Sequence, residues 1–96
     1  MGIDAGVAIV TPVGELDMSS VDDLKAIGAM AFDQHPDVVR IDLSGVTFID
    51  SVGVGGLVAL RNSALAGGQT LVLENPCQQV RRVLEITGLT AAFEIR

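Results

Sequence analysis

The chain has 96 residues, 49% of them apolar and 19% charged, with a mean hydropathy of +0.51 and a net charge of -6. Such a composition excludes disorder, and the length sets the expectation of one domain over residues 1–96, burying roughly two-thirds of the surface its unfolded form exposes. The longest apolar stretch, residues 52–60, holds nine residues and three glycines, far short of the ~20 needed to span a bilayer.

Six Lys and Arg stand against twelve Asp and Glu, with three Phe and neither Tyr nor Trp. Nucleic-acid binding calls for a basic face and often stacking aromatics, so this balance argues against it. Arg81 and Arg82 form the one basic cluster and read as a solvated helix face. Cys77 is the single cysteine and His35 the single histidine. No internal disulfide can form, and a metal site of His and Cys ligands would have one of each. No basic-then-apolar leader opens the chain, so a cytoplasmic address is expected.

In chain order, residues 7–13 (VAIVTPV) are rich in β-branched residues and read as a strand that Pro12 weakens near its end. Ser19 and Ser20, each with an aspartate three residues on, are good helix starts. Val21, Leu24, Gly28 and Ala31 then share one helical face, and the helix should stop before Pro36. Residues 38–43 (VVRIDL) read as a half-buried or central strand, and residues 44–50 as a connection. A second helix is predicted over residues 51–66, closed by Gly67 and Gly68. Residues 70–73 (TLVL) form the next strand. Asn75 with Pro76 predicts a helix N-cap and first turn. Val80, Val83 and Leu84 give that third helix its buried face, and Gly88 ends it. Residues 92–95 read as a short last strand.

Alternation of strands and helices predicts an α/β fold on a largely parallel or mixed sheet of four to five strands, with three to four helices and right-handed crossovers. In a parallel sheet all C-terminal strand ends share one edge, where sites form. Residues 14–17, 44–51 and 74–75 should gather there, bringing Asp17 and Asp50 close together.

The most informative stretch is DLSGVTFIDSVGVGGLVAL, residues 42–60. Ser51 stands at the predicted start of the second helix, where its hydroxyl can cap the helix. The same unpaired N–H groups and the helix dipole also favour a phosphate there. Gly53, Gly55 and Gly56 each cost about 1 kcal/mol against alanine in an exposed helix interior, so they need a reason, such as the close approach of a backbone or bulky group. No phosphate-loop lysine and no full G-x-G-x-x-G spacing accompanies them. Leu57, Leu60 and Ala64 form one apolar line and Val54, Val58 and Leu65 another. A helix apolar nearly all round is either deeply buried or meets a partner. Asp17 and Asp50 could pair for acid–base work, but no nucleophile, metal or positioning group joins them. A turn aspartate and a helix-start aspartate is the simpler reading.

Taken together, Gly14-Glu15-Leu16-Asp17 before a helix, Asp42-Leu43-Ser44 through Phe48-Ile49-Asp50-Ser51-x-Gly53, Gly67-Gly68 before a strand, and Val83-Leu84 to Thr87-Gly88-Leu89 resemble the STAS domain family, and more narrowly the bacterial anti-sigma factor antagonists. The resemblance covers residues 7–95, and Asp-Ser-x-Gly after a strand is its most specific part. It implies a domain with no catalytic activity of its own and no cofactor or metal. It implies that Ser51 is phosphorylated by an anti-sigma factor that is also a serine kinase, that the unphosphorylated form binds that partner and frees a sigma factor, and that a metal-dependent serine phosphatase restores the serine. The partner-binding residues would be Asp17, Asp50, Ser51, Val52, Gly53, Val54 and Val58. Many members carry Ser or Thr after the phosphoacceptor; Val52 here leaves Ser51 as the one hydroxyl. Members also usually have an edge strand before the one at residue 7, and a shortened edge invites dimerisation. The alternative within the family is a non-switching subunit of a lipid-trafficking ABC transporter or a stress-signalling assembly.

Overall fold

The computed structural model describes residues 2–96. Strands β1 (Gly2–Asp4) and β2 (Val7–Val10) form an antiparallel hairpin. Its two-residue turn places Ala5 and Gly6 at φ 51° and 79°, the left-handed turn whose twist matches that of the flanking strands. The edge strand expected before residue 7 is therefore present here in a three-residue form.

Helix α1 (Val21–Asp33) follows a short strand β3 (Gly14–Leu16). Then come β4 (Val38–Asp42), β5 (Val46–Ile49), α2 (Ser51–Ala66), β6 (Thr70–Glu74), α3 (Gln78–Ile86), a 3₁₀ turn (Leu89–Ala91) and β7 (Glu94–Ile95). The main sheet runs β1-β2-β4-β6-β7, parallel except at β1. Its parallel crossovers all step in one direction, so right-handed connections set the helices on a single face. Ala8, Val10, Val39, Ile41, Leu71 and Leu73 form the sheet's side of the core. Leu24, Ala31, Leu57, Leu60, Val80 and Leu84 meet them from the helices. On the opposite face, Val72 lies in register between Arg40 and Glu94. Arg40 Nε reaches Glu74 Oε1 at 2.9 Å, and Arg96 pairs with Glu94. Arg40, Arg96 and Glu94 can cover apolar sheet surface while keeping their charges wet, whereas Glu74 is buried and has Arg40 as its partner.

Several expectations change. The first strand stops at Val10, because Pro12 has no N–H to give a ladder. Residues 44–50 are not merely a connection: β5 lies within them and pairs in parallel with β3, Leu16 opposite Ile49, as a separate two-stranded sheet. The last strand is only Glu94–Ile95, preceded by the 3₁₀ turn. Helix α3 starts two residues later than Asn75 and Pro76 suggested. Asn75 has φ 54° and Cys77 occupies the N-cap position.

The helices follow the pattern closely. Val21, Leu24, Gly28 and Ala31 are the buried residues of α1. Helix α2 spans 51–66 as predicted, with Gly67 as C-cap and Gly68 at φ 70°. Gly28 lets α1 and α2 close together: a Cβ there would lie 2.3 Å from Leu60 Cδ2.

Candidate functional site

The pairing of β3 with β5 builds the site. Gly14 N–H donates to Gly45 O at 2.8 Å and Asp50 N–H to Leu16 O at 3.2 Å. Leu16 and Ile49 are in register, so Asp17 and Asp50 follow as the next residues on neighbouring parallel strand ends. The third segment joins from the side: Leu43 N–H donates to Glu74 O, and Asn75 Nδ2 approaches Asp42 Oδ1 at 3.4 Å.

The cap of α2 is Asp50 rather than Ser51. Asp50 Oδ1 accepts the Gly53 N–H at 3.0 Å, from an extended backbone. A carboxylate in that position satisfies an orphan amide and complements the helix dipole. Ser51 is thereby moved to the first helical position, exposed to solvent. Its hydroxyl is not spent on the cap.

Two of the three early glycines now have their reason. A Cβ on Gly53 would lie 2.2 Å from Leu16 O, and one on Gly56 2.6 Å from Val21 Cγ2. Gly53 accommodates β3, and Gly56 accommodates α1. Gly55 has nothing within 4 Å, so no packing explains it.

Of the candidate contact residues, Ser51 and Val52 are exposed, while Asp17, Asp50 and Val58 are half-buried. Val54 and Gly53 are buried and belong to the core side of α2. They lie beneath the exposed residues of the helix start. Leu65, grouped by spacing with Val54 and Val58, is instead exposed.

Asp17 organises the turn into α1. Its Oδ1 accepts from the Ser19 N–H at 2.9 Å and the Ser19 hydroxyl at 2.6 Å. These bonds favour the ionised form and hold the Asp17 carboxyl below the usual carboxylate range. Ser20 sits at the N-cap position of α1 without capping it. Its hydroxyl donates to Glu15 O at 2.6 Å and accepts the Asp17 N–H at 3.1 Å. Asp42 is lowered likewise, chiefly by the Ser44 backbone N–H at 3.0 Å.

Three further residues escape a reading by pattern. Met18 (78% exposed) and Phe48 (41%) lie within two residues of Asp17 and Asp50 along the chain. The signal for Phe48 was available, since VTFI has strand composition, but its flanks read as loop. Gln79 on α3 reaches β5: its Oε1 accepts the Ile49 N–H at 3.0 Å and its Nε2 donates to Ile49 O at 3.3 Å. Nothing in the sequence marked it. His35 is exposed just past α1, at φ 52°, and Cys77 is half-buried. Arg81 and Arg82 are exposed on α3. Among the described residues, no helix is long and apolar enough to cross a membrane.

A two-layer α/β domain, helices on one face of a mostly parallel sheet and a candidate site at a helix start, is the class that fold and site define. More narrowly, the chain belongs to the STAS domain family, whose model matches residues 2–96. It is similar to the anti-sigma-B factor antagonist of Bacillus subtilis strain 168, 33% identical over 86 residues that make up 90% of this chain and 78% of that protein. The crystal structure of an anti-sigma factor antagonist from Mycobacterium paratuberculosis is similar at TM-score 0.81 and 30% identity, over 98% of this chain and 80% of that one. The phosphorylated form of the Bacillus cell-fate determinant SpoIIAA shares the fold at TM-score 0.74 and 23% identity, over 100% of this chain and 87% of that one.

Proposed function

We propose that this protein is an anti-sigma factor antagonist whose docking is switched by phosphorylation at Ser51. Unphosphorylated, it binds an anti-sigma factor that is also a serine kinase, and so releases a sigma factor. Phosphorylation of Ser51 turns that binding off, and a metal-dependent serine phosphatase restores it. The protein acts by binding and carries out no chemistry itself.

The observation that carries this reading is the division of labour between Asp50 and Ser51. Asp50 caps α2, which leaves the neighbouring hydroxyl exposed at the helix start. A phosphate at Ser51 adds about -1.5 to -2 charges. The helix N-terminus tolerates that charge locally, so the fold survives modification. A partner surface does not tolerate it equally. Asp17 and Asp50 already make the site acidic, and Val52 beside Ser51 is exposed apolar surface. Desolvating a dianion there opposes docking, and every 1.4 kcal/mol of penalty weakens affinity about tenfold.

Incubation with the kinase partner and ATP, read by intact mass, tests this. Wild type should gain one phosphate, and Ser51→Ala should gain none while still binding the partner. Label that persists in Ser51→Ala would move the switch elsewhere.

A further inference from the structure

We propose that Gln79 is a positioning residue for the switch: its carboxamide acts as a one-residue strand on the open edge of β5 and sets the register in which Ser51 is presented. This rests on the reading of Ser51 as the phosphoacceptor.

The hydrogen-bond pattern carries the inference. Among the described residues, strand β5 pairs with β3 alone. The Asp50 N–H points to that side and donates to Leu16 O. In a parallel ladder, adjacent residues direct their backbone groups to opposite sides. Ile49 therefore turns its N–H and C=O away from β3, toward α3. Both are met by one side chain, Gln79 Oε1 at 3.0 Å and Nε2 at 3.3 Å. A carboxamide presents one donor and one acceptor at the spacing of a peptide group, so it replaces the strand that β5 lacks. Val80, the next residue, is fully buried and anchors α3 in the core. The Ile49 side chain is likewise sealed in the core.

The position of this clip gives it consequence. Ile49 is the last residue of β5, followed by the cap residue Asp50 and by Ser51. Freed from Gln79, the end of β5 would keep its backbone hydrogen bonds on the β3 side only, with the packing of Ile49 as its other restraint. A phosphoacceptor must meet the transferring phosphoryl group in line, and a displacement on the order of 1 Å can cost about 10²-fold in rate. Loss of the clip should then lower turnover, while the docking surface of Val52 and Val58 remains.

Backbone amide hydrogen exchange on the full chain tests the clip without any partner. Gln79→Ala should speed exchange at Ile49 by about tenfold or more relative to amides in β4 and β6. No change at Ile49, or acceleration spread evenly over the chain, would overturn it. Gln79→Glu keeps the bulk and adds a signature that bulk alone lacks. As an ionised acid it still accepts from the Ile49 N–H but sets its second oxygen against Ile49 O; protonated, near or below about pH 4.3, it can make both bonds. Protection of Ile49 in Gln79→Glu, relative to wild type at the same pH, should therefore recover on acidification; a pH-independent deficit would refute the clip. In the kinase assay, Gln79→Ala should lose about tenfold or more in kcat with KM within about threefold of wild type. Unchanged kcat would refute the positioning role. Failure of wild type itself to be labelled would count against the phosphoacceptor reading, and the exchange data would still decide the clip.

Discussion

Asp50 Oδ1 holds the Gly53 N–H at 3.0 Å, and the same residue's N–H is bound to Leu16 O. One aspartate thus ties the start of α2 to the end of β3. Gly53 completes the junction, since any side chain there would meet that same Leu16 carbonyl.

Removing the cap should weaken the fold measurably. Asp50→Ala is expected to cost about 0.5–2 kcal/mol, with Asp50→Asn costing less because an amide oxygen can still accept from Gly53. Urea unfolding midpoints report both. An unchanged midpoint in the alanine variant would mean that the cap does not hold the helix start.

The glycines of α2 should respond with opposite signs. Gly53→Ala drives a methyl into a backbone carbonyl and should destabilise by about 1–3 kcal/mol or more. Gly55→Ala meets open space inside a helix and should stabilise by up to about 1 kcal/mol. Thermal melts of the pair separate the two cases. If Gly55→Ala stabilises yet weakens binding to the kinase partner, the absent side chain at that exposed position serves docking rather than folding.

Ser51→Asp places a negative charge in the first turn of α2. It should leave stability unchanged or raise it by about 0.3–1 kcal/mol while weakening partner binding at least about tenfold. Calorimetric titration against the partner checks the second arm. Retained affinity together with a higher melting temperature would place the helix start outside the interface.

The Asp17 turn should loosen only in acid. Its carboxyl is held below its ordinary value of 3.8, chiefly by the Ser19 hydroxyl and then by the Ser19 backbone N–H. A depressed folded-state value means that its contribution is complete above the unfolded value. It is lost as pH falls through the folded one, below 3.8. Carboxyl NMR should find the Asp17 midpoint under 3.8 in wild type and higher in Ser19→Ala. A midpoint unmoved by that substitution would show that the hydroxyl bond is absent in solution.

The three helices were legible in the sequence because each helix carries its own period. Val21, Leu24, Gly28 and Ala31 recur at helical spacing, and burial follows that spacing. The ends of α2 were equally plain, from a polar Asp-Ser pair at one end to two glycines at the other. The α/β alternation fixed the sheet's parallel character through the handedness of its connections.

At the site, tertiary structure decided the rest, because each feature missed there is an interaction between distant residues. Strands β3 and β5 are three and four residues long, too short for a period, and they exist as a pair. Whether Ser51 or Asp50 caps α2 depends on where β5 ends, which β3 and Gln79 settle from 33 and 30 residues away in the chain. The purpose of Gly53 and Gly56 becomes visible only when Leu16 and Val21 are brought against them. Local propensity wrote the helices; long-range backbone pairing chose which hydroxyl faces the solvent.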